Sequence, residues 1–280
     1  MVTVYPGESI QAAIERAKDG TVICLAEGTW EENLIISKDL TLRGTSRERT
    51  IVKGSKNGEP VILIRSDSMI NAIITTLTVA GGSGGGIRIG GKAKTTVKNS
   101  KISGNEYRGI YIGDQAQATI QNNRITGNGW RGIGMWDFAT ANIQSNQVLN
   151  NGLTGIYMRG RAQATIQDNR ISDNGYRGVQ MWNAALAILQ NNQVSGSHYG
   201  VSIGDSAKVN IHENKVFDNT GYGVTLVLGT CGWGKEAIFS GEVRGKGNQM
   251  YDNAENDLCP SALRFLRSTW EGCFGRPCSG

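Results

Sequence analysis

Proline and histidine are scarce: four prolines and two histidines in 280 residues, against 39 glycines. Many glycines with few prolines suit tight, regular turns. The two histidines, His198 and His212, fall on different parts of the pattern described below, so a copper or other histidine-built metal site has no support. No stretch is apolar or long enough to cross a membrane. No CxxC spacing is present, which disfavours zinc. Lys plus Arg total 29 against 24 Asp plus Glu, a net charge of +5. That excess suits an acidic partner, but the basic residues are not massed as a nucleic-acid face would need. Met1-Val2 leads straight into a folding pattern with no visible signal peptide, leaving a cytoplasmic protein or the mature form of an exported one. Missing too are the leucine pattern of leucine-rich repeats and the long 3.6-period apolar runs of helical repeats.

What is present is a repeat. Gly86, Gly109, Gly132, Gly155, Gly178, Gly200 and Gly223 recur every 23 residues, with one step of 22. One and three residues after each stands an apolar pair: Ile110/Ile112, Ile133/Met135, Ile156/Met158 and their copies. Ser100, Asn123, Asn146, Asn169, Asn192 and Asn214 form a second column. Asn105, Asn128, Asn151, Asn174, Ser197 and Asn219 form a third. A period of this length with two-residue alternation inside each copy predicts a parallel β-helix with three short strands per coil. Asparagine suits its sharp turns, tolerating left-handed backbone, and stacked amides can bond one another as a ladder.

Along the chain, residues 1–20 read as an N-terminal cap, with a short amphipathic helix from Ile10 to Ala17 behind Ser9 as N-cap. Residues 21–244 read as the β-helix, regular over 86–223, and 245–280 as a C-terminal cap, all in one domain. Early strands are expected at Thr21–Leu25, Asn33–Ser37, Leu40–Arg43, Thr50–Val52, Val61–Arg65 and Ala72–Val79. Cys24 reads as a buried thiol. Cys231, Cys259, Cys273 and Cys278 cluster near the end, where two disulfides would staple the cap; three pairings are open. That cluster favours an exported protein, extracellular or periplasmic. A monomer is expected.

If the apolar pair points inward, its neighbours point outward. One outer face then carries Arg88, Tyr111, Trp136, Tyr157, Arg159, Gln180 and Trp182. The turn before it adds Tyr107-Arg108, Trp130-Arg131 and Tyr176-Arg177; the turn after it adds Asp114 and Asp137. The next outward column, Lys94, Gln117, Thr140, Gln163 and Lys208, reads as an ordinary solvated sheet. No column is uniformly threonine, which an ice-binding solenoid would need. Aromatic faces suit sugar rings, and arginines fork onto carboxylates. The one-sided clustering favours a binding groove for an extended acidic polysaccharide, with Trp136 and Trp182 about 10 Å apart across two coils. The alternative is that these rings pack on one another and shield the core. Asp114 and Asp137, in one column on adjacent coils about 5 Å apart, fit the spacing of a retaining carboxylate pair. Alternatively both are turn residues bonding local backbone. Met135, Met158 and Met181 stack on the inward column and read as core.

Several segments carry a family resemblance. Tyr5-Pro6-Gly7-Glu8-Ser9-Ile10-Gln11-Ala12-Ala13-Ile14, Gly20-Thr21-Val22-Ile23, Glu27-Gly28-Thr29-Trp30 and Leu40-Thr41-Leu42-Arg43-Gly44 resemble the opening of pectin methylesterase and NosD-like β-helix proteins. The repeats resemble the pectate-lyase-like right-handed β-helix domain shared by carbohydrate-binding proteins and sugar hydrolases. Gly247-Asn248, Asp257-Leu258-Cys259-Pro260 and Phe265-Leu266 resemble tails of bacterial NosD-like proteins. The resemblance implies an all-β, right-handed parallel β-helix, with the substrate groove on the strand starting at each repeat glycine. A lyase of this kind would use Arg159 or Arg131 as base, with Asp114 and Asp137 holding Ca2+. An esterase would use an aspartate pair, which Trp136-Asp137-Phe138 faintly resembles, without the expected glutamine-rich motifs. A surface or scaffold protein of the same fold would bind glycan or a protein partner without chemistry. The superfamily spans all of these.

Overall fold

The computed structural model describes residues 1–55, 57–234 and 236–275. Each coil contributes three strands, as in Arg131–Met135, Thr140–Gln144 and Gln147–Leu149. Like strands stack into three sheets. The front sheet has ten strands from Leu34–Ile36 to Asn256–Cys259. The flank sheet has twelve from Val2–Val4 to Gly272–Gly275, and the back sheet ten from Gly28–Glu31 to Gln249–Tyr251. Pairing is parallel, save the last flank strand, which runs antiparallel to Glu242–Lys246. Register follows the repeat: Ile110 pairs with Ile133, Ile133 with Ile156, and Ile156 with Val179. A column in the sequence is therefore a column in space.

The inward residues of all three sheets meet in one core. Ile133, Ile143 and Val148, from the three strands of one coil, are fully buried, as are Met135, Met158 and Met181. Each such side chain contributes roughly 1.5–3 kcal/mol relative to an exposed one. Each turn of the regular coils places one residue in the left-handed region. In the flank-to-back turn it is Asn99, Asn122, Ser145, Asp168, Asn191 or Glu213. The ladder asparagine comes next in sequence and is not itself left-handed. The strained position thus belongs to its neighbour, leaving the ladder amide free to reach the adjacent coil.

That amide is fully used. Asn146 Oδ1 accepts the backbone N–H of Asn123 at 2.9 Å and its side-chain N–H at 3.1 Å. Its Nδ2 donates to Ile120 O at 2.7 Å and to Asn169 Oδ1 at 3.0 Å. The second ladder repeats this from Asn105 through Asn174. Both ladders run one coil beyond the sequence pattern, to Asn248 and Asn253. The first ends where Asn248 Nδ2 donates to Leu266 O, in the 3-10 helix Ser261–Arg267 of the C-terminal cap.

At the other end, the helix Ile10–Arg16 buries Ile10, Ala13 and Ile14, and Ser9 Oγ accepts the Ala12 N–H at 3.1 Å. Glu32 of the first coil accepts the N–H groups of Ile10 and Gln11. The expected strand over Ala72–Val79 is two strands, Asn71–Thr75 and Thr78–Ala80, because a flank-to-back turn with left-handed Thr76 divides it. Cys24 is a buried free thiol, and Cys231 pairs with Cys259; Cys278 lies outside the described residues. No helix among the described residues is long and apolar enough to cross a membrane.

Asn146→Ala strips an acceptor from two buried donors and a donor from buried carbonyls, so it should destabilise the fold by about 2–3 kcal/mol. Gln163→Ala, on the exposed flank, should change stability by less than about 0.5 kcal/mol. Urea unfolding of both variants checks this, and equal losses would contradict a structural role for the ladder.

Candidate functional site

The outer face of the front sheet is built by two-residue alternation. Arg88, Tyr111, Gly134, Tyr157, Gln180 and Ser202 are register partners in one outward column. Three residues earlier in each coil, Arg131, Thr154, Arg177 and Tyr199 form a second paired column. The glycine in the first column makes room. A Cβ on Gly134 would meet the Trp136 indole at 2.3 Å, so Trp136 lies across the strand there.

Rings and guanidinium groups interleave. Tyr107 stacks on Trp130 at 4.5 Å, Tyr111 on Trp136 at 4.9 Å, and Trp136 meets Tyr157 at 5.3 Å. Arg108 lies 4.6 Å from the Trp136 ring, Arg131 lies 4.0 Å from Tyr157, and Arg177 lies 3.9 Å from Tyr176. Contacts of this kind contribute roughly 0.5–2 kcal/mol each. Beyond Arg177 a second cluster joins Tyr176, His198, Tyr199 and Tyr222. Gln180 is buried, with Arg177 NH1 donating to its Oε1 at 3.4 Å.

The electrostatics of this belt are one-sided. Among the described residues no carboxylate forms an ion pair with Arg108, Arg131 or Arg177. The Nε of each is buried without a hydrogen-bond partner. Burial among the rings pushes all three guanidinium groups below their usual range, and neighbouring arginines push the same way. Burial likewise raises the Tyr111 phenol, helped by Asp137. Arg88, Arg108 and Tyr111 also line a recess of about 150 Å³ beside Pro60 and Gly85.

Two further sets of sequence-predicted residues sit differently. Asp114 and Asp137 occupy the left-handed position of the front-to-flank turn, where Gly91, Gly160, Asn183 and Asp205 stand in other coils. Asp114 Oδ2 accepts the Gly91 N–H at 2.7 Å and pairs with Arg65 at 3.2 Å. Asp137 Oδ2 accepts the Asp114 N–H at 3.2 Å. Among the described residues no group of three or more His, Cys, Asp or Glu is arranged to hold a metal ion. Trp182 packs on Gly204, not on Trp136, and lines a separate recess of about 590 Å³ with Asp205 and Trp233. Arg159 is exposed, its Nε donating to Asn183 Oδ1 at 3.0 Å.

Sequence reasoning missed Trp233, which lies 4.8 Å from Arg177 and 5.2 Å from Tyr199. It stands outside the repeat, so no periodic signal marks it. The flank sheet is not simply flat: an open trough of about 700 Å³ runs along it, over Gln117, Thr140, Asn142, Gln163 and Lys208.

If the aspartates serve the turn, Asp137→Asn should hold stability within about 0.5 kcal/mol, because Asn183 fills the same position. Asp137→Ala, losing the accepted N–H and placing alanine at positive φ, should lose about 1–2 kcal/mol. Thermal or urea unfolding reads both. An asparagine variant as unstable as the alanine variant would contradict the turn role.

The fold has relatives among solved structures. An alginate lyase from Paenibacillus sp. str. FPU-7 aligns at a TM-score of 0.61 and 16% identity, over 90% of this chain and 92% of the other. The A-module of the Azotobacter vinelandii mannuronan C-5 epimerase AlgE4 aligns at 0.55 and 15%, over 89% and 90%. The pectate lyase Pel9A aligns at 0.53 and 14%, over 96% and 81%. At such identities the likeness is one of fold. No curated protein matches the sequence. The family model described as the right handed beta helix region matches residues 38–156 and 114–254, and with three parallel sheets already in view the chain belongs to that family.

Proposed function

We propose that this protein binds an extended acidic polysaccharide, a polyuronate, along the outer face of the front sheet. The observation that carries the proposal is the row of Arg108, Arg131 and Arg177, held among aromatic rings with buried Nε groups and no carboxylate partner. A buried charge without a counter-ion is unfavourable, and a ligand carboxylate relieves that cost. Arg108 and Arg131 stand on adjacent coils, about 4.8 Å apart, and Arg177 stands two coils, about 9.6 Å, beyond Arg131, so each falls on a multiple of the spacing of a polymer with an anionic group on each sugar. Tyr107, Tyr111, Trp130, Trp136 and Tyr176 offer ring surface to the sugars, while Tyr157 and Gln180 are buried beneath them and Trp182 lines a separate recess. Proteins of this fold are named for alginate and pectate, both polyuronates. A polymer of this kind belongs outside the cytoplasm, in keeping with an extracellular or periplasmic location.

Binding, without cleavage, is the reading we favour. One oxygen of each carboxylate, Oδ2 of Asp114 and of Asp137, already accepts a turn N–H, which favours a structural use of the pair. In a cleaving version, Arg131 is a better base than an ordinary arginine, because burial lowers its pKa.

Calorimetry with oligogalacturonate and oligoalginate should show binding that weakens as salt rises. Arg108→Ala and Arg131→Ala should each weaken it about tenfold to a hundredfold, the worth of one charged hydrogen bond. Arg124→Ala, on the back sheet, should not change it. If neither uronate binds, the proposal is wrong. Ultraviolet absorbance of an unsaturated product during incubation would replace the binding reading with a lyase.

A further inference from the structure

One coil breaks the period beside the front face. Asn214 and Asn248 are ladder neighbours yet stand 34 residues apart, where Asn192 and Asn214 stand 22 apart. The extra residues lie between the front strand Tyr222–Leu226 and the flank strand Glu242–Lys246. In earlier coils that connection is a short turn such as 136–139. Here it is a strap. Its root stays on the preceding coil, with Val227 N–H donating to Ile203 O and Ser240 N–H to Asp205 O, both at 2.8 Å. Cys231 ties it to Cys259 at the end of the last front strand.

The strap throws Trp233 back over Arg177 and Tyr199. The outward columns respond. Arg177 is 7% exposed, Gln180 5%, and Ser202 and Thr225 0%. Ser202 Oγ and Trp233 Nε1 are buried without a hydrogen-bond partner. At the opposite end of the same face, Arg88, Tyr107 and Trp130 are exposed. The front face is therefore exposed at Arg88 and covered at Trp233.

We infer that the outer face of the front sheet receives the terminus of a polyuronate chain, whose last sugar stops against the Trp233 strap. This rests on the acidic-glycan reading above. The stretch not covered by the strap spans the coils of Arg88, Tyr111, Gly134 and Tyr157, room for about four sugars at the ~4.8 Å coil spacing, with its exposed side chains, Arg88, Tyr107 and Trp130, at the far end and Tyr157 only 8% exposed. Arg177, beneath the indole, is placed to meet the carboxylate of the terminal unit.

The test uses the full chain and an oligouronate of about four units: unlabelled, with a bulky fluorophore on the reducing end, or with the same group on the non-reducing end. One labelled form should bind at least about tenfold more weakly than the unlabelled sugar, while the other stays within about twofold. Trp233→Ala keeps the disulfide and should restore most of the lost affinity. Two labelled forms that both match the unlabelled sugar would overturn the closed end while leaving the acidic-glycan reading intact. A weak form that stays weak in a folded Trp233→Ala would also overturn the strap's role. The wild-type comparison decides the closed end even if the variant fails to fold. No binding of the unlabelled sugar would overturn the parent reading and this inference with it.

Discussion

Every surface feature of this protein depends on one buried interaction, the amide of one asparagine bonding to its copy in the next coil. Each ladder amide satisfies the backbone and side chain of its neighbour, and buried polar groups tolerate no half-made network. A coil whose turns gained or lost a residue beside the ladder would misplace the amide and leave buried donors unpaired. Turns beside intact asparagine steps of the regular coils keep their length; the one shortened turn, between Ser197 and Tyr199, falls where Ser197 interrupts the second ladder and leaves its hydroxyl buried without a partner. The one large insertion, the Trp233 strap, enters at the front-to-flank turn, away from both ladders, and both continue unbroken past it.

Constant register turns a repeated motif into an aligned surface. Because Arg131 and Arg177 flank Thr154 in one paired column, their guanidinium groups line up along the coil axis. The rings that desolvate them come from positions on both sides of the repeat glycine, with Trp233 of the strap added over Arg177. Thr154, where an arginine would continue the row, is fully buried with its hydroxyl unpartnered. The result is a set of like charges kept in a low-dielectric setting by ring contacts, a costly arrangement without an anion and a favourable one with it. The Asp114–Arg65 pair lies at the margin, where the carboxylate also closes a turn.

Much of this was legible in the sequence because period and alternation report backbone geometry directly. The core columns, the helix behind Ser9 and the front, flank and back strands all follow from spacing. The ladders were legible up to Asn214 and Asn219. Their last members, Asn248 and Asn253, lie across a 34-residue coil where the period fails. Which residue of a turn is left-handed was not legible, since both neighbours are often asparagine, as in Asn122-Asn123. The direction of long side chains was not legible either. Trp136 and Trp182 hold the same place in the repeat, yet Trp136 lies over Gly134 in its own coil and Trp182 over Gly204 in the next. A glycine two residues earlier admits the first indole, and Gln180 fills that space in the other coil. Non-local contacts such as Trp233 on Arg177 leave no periodic trace.

The central claim is that Arg108, Arg131 and Arg177 are a preformed receptor for a row of carboxylates. Isotope-edited NMR of the arginine Nε–Hε groups, recorded while oligogalacturonate is added, reads those atoms directly. The account predicts that the Nε–Hε resonances of Arg108 and Arg131, and of Arg177 where the chain ends, shift together and saturate, while those of Arg124 and Arg170 on the back sheet stay still. Uniform small shifts across all arginines, or movement confined to the back sheet, would contradict it.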